Sequence, residues 1–379
     1  MKIAHIISTF PPHIGGMGIV AVNEAKQQVA HGNTVTVFTM RYPDTIYRDE
    51  QYAFRIIRLR PLFRLGNAGF LPQLLSALKG FDIVHLHYPF YGGAEWVWLF
   101  SLMYHRPFVL TYHMDAEPSG RGRLVLQKIY DLIFPRLILH RAIKIIAVDA
   151  LHANETRFRK FLTHEKLRVI HNGVNTAIFK PETVYLGSMD LEHWGMKKII
   201  LFVGNPIPGK RLDIFLKALA EIRDENIVGL VVGGGYFIDR YKRLASELGL
   251  DKRVLFVGAL HNRERLAHYY KVAACLAVPS TAESFSLVVI EAMASGCPVV
   301  ATDLPGVRER IIPNVDGFLV APGSVDALVA GIHKCLSLTP EERSLLTDRA
   351  RQKMIEKYSW EEHAKKLEAV YKEILSQAL

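Results

Sequence analysis

The sequence predicts an α/β protein of two doubly wound, Rossmann-like domains, each built on a parallel sheet. Three observations carry that prediction. Apolar runs of strand length alternate with helical patterns from residue 2 to about residue 175, and the alternation starts again at residue 198. Between the two series the chain loses regularity through Pro181 and Gly187 to Gly195, as a linker does. At 379 residues and 50% hydrophobic content there is enough chain for two cores. The expected layout is a first domain over 1–175, a linker over 176–195, a second domain over 196–358, and a C-terminal helix over 359–379 that packs back on the first domain.

Taken in order, Lys2–Ser8 reads as the first strand, followed by a glycine-rich turn and a helical pattern that ends near Gly32. Thr34–Thr39 is the second strand and completes a βαβ unit. Further strands are expected at Phe54–Leu59, Asp82–Leu86, Pro107–Tyr112, Ala142–Val148 and Arg168–Ile170. The second series has strands at Lys198–Val203, Ile227–Val232, Arg253–Val257, Ala274–Val278 and Pro298–Thr302, with helices starting at Leu212, Arg240 and Arg263 and after Pro279. Trp360–Leu375 is amphipathic. Ligands of such sheets bind beyond the carboxyl ends of the strands.

Composition narrows the function classes. Lys and Arg number 47 against 37 Asp and Glu, a formal charge of +10, which favours anionic partners without choosing among them. Arg121, Arg123, Lys128, Arg136, Arg141 and Lys144 flank the apolar stretch Leu124–Leu139, which reads as a solvated helix face or a membrane-touching one, interrupted at Pro135. Cys275, Cys297 and Cys335 lack any CxxC or Cys/His spacing, so neither a disulfide framework nor a structural zinc site is expected from them. No run of about 18 uncharged apolar residues occurs, and the short run at Met1–Ile7 reads as a strand rather than a leader. The expectation is a cytoplasmic chain, with peripheral association to the cytoplasmic membrane face as an option.

The chemistry is expected in Thr281–Gly296. Glu283 leaves a strand and Glu291, seven intervening residues later, rides on the next helix. About two helical turns would set the carboxylates ~10 Å apart, with a helix N-terminus between them. That suits a ligand with hydroxyl-rich ends and a central anion, such as a nucleotide-sugar. Ser280-x-x-Glu283 equally fits a capping box.

Three other loops compete for phosphate. Gly16-Met17-Gly18-Ile19-Val20-Ala21 matches the dinucleotide fingerprint in form, but six residues separate it from its strand and no acidic residue ends the next one. Gly204–Lys210 resembles a phosphate-binding P-loop. Arg211 stands where that loop needs Ser or Thr, however, and Pro206 and Pro208 remove N–H donors. Lys210 and Arg211 remain usable cations. Gly233–Gly235 reads as an ordinary strand-to-helix loop. His85 and His87 share a strand face and, with His113 and Asp115, suggest metal ligation, yet no fourth ligand is apparent and a structural or cleft-lining role is favoured.

As a set, these motifs resemble the retaining GT-B glycosyltransferases of family 4. The resemblance runs through Gly15–Gly18, Thr111–His113, Val169–Asn175, Phe202–Lys210, Val257–Gly258 and Glu283-x7-Glu291. It implies a nucleotide-diphosphate sugar donor, a retaining reaction by front-face attack, a sugar or lipid-linked acceptor, no metal and no other cofactor, and no nucleic acid. His113, Lys210 and Glu283 would then be catalytic. The donor would be held by Gly15, Gly16, Asn205, Lys210, Arg211, Glu283, Ser284, Phe285, Ser286, Leu287 and Glu291, with Glu283 on the sugar hydroxyls, Glu291 on the ribose and Lys210 on the leaving diphosphate. Two departures stand out: Asn205 replaces the family's usual Arg, and Ser284 and Ser286 stand where many members have glycine. Tyr88–Trp96 and Glu117–Arg121 are the expected acceptor loops. The rival readings are a nucleotide-sugar epimerase of the same architecture and a non-catalytic binder of nucleotide or anionic membrane.

Overall fold

The computed structural model describes residues 1–13, 15–43, 45–115, 121–185, 191 and 194–377, with backbone alone for 121–126. The chain forms two compact units, Met1–Asn172 with Trp360–Leu379, and Gly173–Ser359.

The first unit contains β1 (Lys2–Ile7), α1 (Gly16–Ala30), β2 (Thr34–Met40), β3 (Arg55–Leu59), a small hairpin of β4 (Arg64–Leu65) and β5 (Ala68–Gly69), and α2 (Leu74–Ala77). It continues with β6 (Ile83–Tyr88), α3 (Ala94–Met103), β7 (Val109–Tyr112), α4 (Arg121–Arg141), β8 (Lys144–Ala147), α5 (Ala150–Glu155) and β9 (Leu167–Val169). Seven strands pair in the order β3-β2-β1-β6-β7-β8-β9, every pair parallel. Alternation along β1 sorts the core: Ala4 and Ile6 face one layer with α2 to α5, while Ile3 and Ile7 face the other with α1 and the C-terminal helix. Each fully buried aliphatic side chain stabilises by about 1.5–3 kcal/mol, so both faces must be covered, as a parallel sheet requires.

The second unit runs β10 (Lys198–Val203), α6 (Leu212–Glu221), β11 (Ile227–Val232), α7 (Ile238–Glu247), β12 (Val254–Gly258), α8 (Arg263–Val272) and β13 (Cys275–Val278). Then follow α9 (Leu287–Ala294), β14 (Val299–Thr302), α10 (Pro305–Arg308), β15 (Phe318–Val320), α11 (Val325–Leu336) and α12 (Pro340–Lys357). The sheet order is β12-β11-β10-β13-β14-β15, again all parallel. Strand order reverses between β10 and β13, so the loops leaving these neighbours emerge side by side at the carboxyl edge. The last helix, α13 (Trp360–Gln377), belongs to the first unit and buries Leu367, Val370, Tyr371 and Ile374 beside α1.

Three local expectations are revised. Pro135 does not break α4, which runs through it from Arg121 to Arg141. Its Ile138 and Leu139 are buried, whereas Ile129, Leu132, Ile133 and Leu137 lie exposed, Leu132 by 78%. The expected linker is also partly packed: Phe179 is buried, its ring centroid 6.0 Å from that of Tyr270. Finally, α9 begins only at Leu287, so loop rather than helix fills the first half of the interval between Glu283 and Glu291. Residues 186–190, 192 and 193 of the linker and 117–120 of the second acceptor loop lie outside the described residues. Among the described residues, no helix is long and apolar enough to cross a membrane.

Candidate active site

The loop after β10 is shaped by close backbone packing. A Cβ on Gly233 would come within 1.9 Å of the Gly204 carbonyl oxygen, and Gly233 has φ +153°, so only glycine fits there. The glycine run after β11 therefore makes room for the 204–210 loop. That loop tightens into one 3₁₀ turn at Pro208–Lys210. It is laced to the loop after β13, because Thr281 N–H donates to the Gly209 carbonyl at 2.9 Å. Thr302 Oγ1 donates to the Ser280 carbonyl at 2.6 Å and pins the same loop from β14. The consequence is local: Lys210 Nζ donates to Glu283 Oε1 at 2.7 Å, and Ser280 Oγ donates to that same oxygen at 2.8 Å.

The capping-box alternative does not hold, since Ser280 binds the Glu283 carboxylate and the helix starts four residues after that glutamate. The Glu283 side chain is 5% exposed and that of Lys210 28%, so one side of the pair stays open to solvent. Both bonds fall on Oε1, and a carboxylate has further acceptor sites on Oε2. Gly306 on α10 holds the loop from behind: a Cβ there would meet the Glu283 carbonyl oxygen at 2.1 Å.

Glu291 is gripped by two side chains of α8, Arg263 at its Oε1 and Tyr270 Oη at its Oε2, the latter at 3.1 Å. Positions 263 and 270 are seven apart, two helical turns, and so share a face. Phe179 braces the grip, with the Arg263 guanidinium 4.8 Å from its ring centroid. Sequence reasoning missed all three supporting residues. The i, i+7 spacing on α8 was the available signal for Arg263 and Tyr270; nothing local marked Phe179.

Between the two glutamates, Phe285 turns inward under Arg310, whose guanidinium lies 4.0 Å from the ring centroid. Phe285 thereby anchors the loop and can offer a ligand only its backbone. Ser286 is the N-cap of α9 yet sits in the left-handed region at φ 62°, and its side chain caps nothing. Its buried Oγ has no hydrogen-bond partner. Such a backbone conformation costs a non-glycine residue on the order of 1–3 kcal/mol. The first turn of α9, from Leu287, therefore has no side-chain cap and no acidic residue, and its Val289 N–H donates to the Ser286 carbonyl; a helix N-terminus of this kind favours an anion. Ser284 lies half-buried beside it.

The structure does not bring every expected residue to Glu283. Arg211, also left-handed at φ 51°, turns its fork to Asp213 in a bidentate pair of 2.9 Å bonds. Asn205 is exposed and packs near Gly235, where a Cβ would approach its Oδ1 to 2.9 Å. In the first unit, Gly15 is the extended N-cap of α1 and Gly16 its first residue.

His113, just past β7, is buried. Its N–H donates to the Tyr88 carbonyl at 3.0 Å, and its Nε2 lies 2.9 Å from His87 Nδ1. Burial pushes His113 down to about 4 and His85 down to about 3, so both imidazoles are neutral near pH 7. Asp115 stands apart from the histidines, accepting from Thr156 Oγ1 at 2.5 Å and from Tyr112 Oη. Two acids, a cation and an open helix N-terminus at the strand-order reversal can hold a diphosphate flanked by hydroxyl-bearing groups.

Comparison with known proteins bears on this arrangement. Residues 14–178 match the family model of Glycosyltransferase Family 4, and residues 189–353 that of Glycosyl transferases group 1. The D-inositol 3-phosphate glycosyltransferase of Mycolicibacterium smegmatis is 31% identical over 96% of this chain and 87% of its own. The chain belongs to glycosyltransferase family 4. Its two Rossmann-like units are those of GT-B glycosyltransferases. This glycosyltransferase superposes on sucrose-phosphate synthase from Thermosynechococcus elongatus with TM-score 0.81 and 25% identity, covering 99% of each chain. It also superposes on Anabaena HepE in complex with UDP and glucose, with TM-score 0.79 and 20% identity over 98% of this chain and all of the other.

Proposed function

We propose that this glycosyltransferase moves a sugar from a nucleoside-diphosphate donor to an anionic or lipid-linked acceptor, with retained anomeric configuration and without a metal at the diphosphate. The observation that carries the reading is the Lys210–Glu283 pair beside the open first turn of α9, at the strand-order reversal. Lys210 neutralises the departing diphosphate together with the amides of Phe285, Ser286 and Leu287. Glu283 Oε2 binds sugar hydroxyls, and Glu291 accepts from the ribose while Arg263 and Tyr270 hold it still. HepE, the structural neighbour solved with UDP and glucose, supports a donor of this class. With Arg211 committed to Asp213, Lys210 is the principal side-chain cation offered to the phosphates. His113, Gly15 and Gly16 keep the roles that the resemblance implies.

An anionic acceptor fits a hollow of about 760 Å³ at the carboxyl ends of β2 and β3, lined by Arg41, Arg60 and Arg64 with Tyr42. The relative that acts on D-inositol 3-phosphate supports the same class. The exposed Ile129, Leu132, Ile133 and Leu137 on α4, beside the basic Lys128 and Arg136, form a face suited to an anionic membrane surface. Co-sedimentation with anionic vesicles at low salt is expected, and Leu132→Asp is expected to abolish it; no sedimentation of the wild type would remove the membrane from the account.

The activity itself is tested by nucleoside-diphosphate release from a panel of UDP-, GDP- and ADP-sugars, with and without phosphorylated polyol acceptors. Acceptor-dependent release is expected. A non-catalytic binder would release nothing, and an epimerase would release nucleotide or free sugar whether or not acceptor is present.

A further inference from the structure

The first unit holds a sealed polar cluster that the donor chemistry does not use. His5 on β1 lies between Ile3 and Ile7 on the face covered by α1 and α13, and it pairs in register with His85 on β6. His87 is on the same face two residues on, and Glu24 reaches in from α1. All four side chains are at most 1% exposed.

Glu24 Oε2 has no hydrogen-bond partner. Three imidazole nitrogens surround it, His87 Nε2 at 3.6 Å, His5 Nδ1 at 3.7 Å and His85 Nδ1 at 3.8 Å. These separations are too long for hydrogen bonds. They are close to the edge of a tetrahedron around a shared ion, because two ligands each about 2.0–2.1 Å from zinc stand about 3.4 Å apart. All four ligand atoms lie within 4.8 Å of one another.

We infer that His5 Nδ1, His85 Nδ1, His87 Nε2 and Glu24 Oε2 form a closed four-ligand site for a divalent transition ion of the zinc class. Three imidazoles and one carboxylate suit zinc among the divalent ions. The groups behind three of the four ligands, His85, His87 and Glu24, match what such sites require, while His5 Nε2 is buried without a partner. His85 Nε2 is held by Thr111 Oγ1 at 2.7 Å, and His87 Nδ1 by His113 Nε2 at 2.9 Å. Glu24 Oε1 is held by His363 Nε2 at 3.0 Å, and His363 Nδ1 in turn lies 2.7 Å from the His171 carbonyl. Loading displaces two contacts: His5 Nδ1 to His87 Nε2 at 2.9 Å opens to a tetrahedral edge, and Tyr371 Oη, 2.6 Å from His85 Nδ1, turns away.

The ion also orders the histidine next in line. With Nε2 on the metal, His87 must carry its proton on Nδ1 and donate it to His113 Nε2, which leaves the His113 proton on Nδ1. Without an ion, the His5–His87–His113 chain can be protonated in either sense. This consequence for catalysis rests on the role proposed for His113; the ion site does not.

The test is metal content of the full chain, expressed with zinc in the medium, freed of any histidine tag and measured by plasma mass spectrometry. About one equivalent of zinc per chain is expected. Cobalt expressed in its place should give the visible absorption of a tetrahedral ion. His87→Gln and Glu24→Gln should each lower the bound metal at least tenfold. Wild-type protein carrying less than about a tenth of an equivalent, or variants that keep their metal, would overturn the site. If the variants fail to fold, the wild-type metal content and cobalt spectrum still decide. Neither readout depends on turnover, so loss of the ion site and failure of the transferase reading are distinguishable.

Discussion

Replacing Lys210 by alanine is expected to lower turnover by about 10²- to 10³-fold, the usual loss when one fixed donor to a developing negative charge is removed from a catalytic site. Because the contact strengthens as the diphosphate departs, kcat and kcat/KM should fall together. The resting structure supplies a rival explanation that must be separated. Lys210 also partners Glu283, whose carboxylate is 5% exposed, so alanine leaves that carboxylate with the Ser280 hydroxyl alone. If Lys210 served only to neutralise Glu283, the double variant Lys210→Ala with Glu283→Gln would be as stable and as active as Glu283→Gln alone. If Lys210 acts on the diphosphate, the double variant regains melting temperature but turns over about 10²-fold or more slower than Glu283→Gln alone. Near-full turnover of the single variant would take Lys210 out of the site.

Glu283→Gln is expected to lower kcat/KM by about 10- to 150-fold, the worth of a hydrogen bond to a charged group, 1.5–3 kcal/mol. Glutamine keeps the volume and can still accept at one oxygen, so the fold should persist. Its amide donors would face Lys210 Nζ, now 2.7 Å from the carboxylate, and the lysine would turn away. Steady-state kinetics beside a melting curve checks this. Unchanged kcat/KM with an unchanged melting curve would take Glu283 out of the donor site.

Most of the parallel strands were legible because a strand buried on both faces must be almost wholly apolar, and β10 and β11 are found where their runs predicted. What was missed has physical reasons. β15 is three residues long, too short to show a period. The start of α9 was misjudged because Ser286 adopts a left-handed conformation that serine disfavours, which no propensity foretells. Glu283, Glu291 and Lys210 could be picked from sequence as loop and helix-start residues following strands. Arg263, Tyr270 and Phe179 could not be assigned as supports of Glu291, since the i, i+7 spacing marks a shared face of α8 but only folding brings that face and residue 179 to Glu291. The histidine cluster shows the same limit: His85 and His87 were visible as a pair on one strand. The remaining ligands come from β1 and α1, about 60 to 80 residues away in sequence.

The central claim, that the β10 and β13 loops with α9 bind the nucleotide of a sugar donor, is tested most directly by calorimetry. UDP, GDP and ADP are titrated into the full chain and into Glu291→Gln. One nucleoside diphosphate should bind the wild type at a single site, and the variant should bind it about tenfold or more weakly while melting as a folded protein. Absence of binding by all three to the wild type, or equal affinity in the variant, would contradict the account.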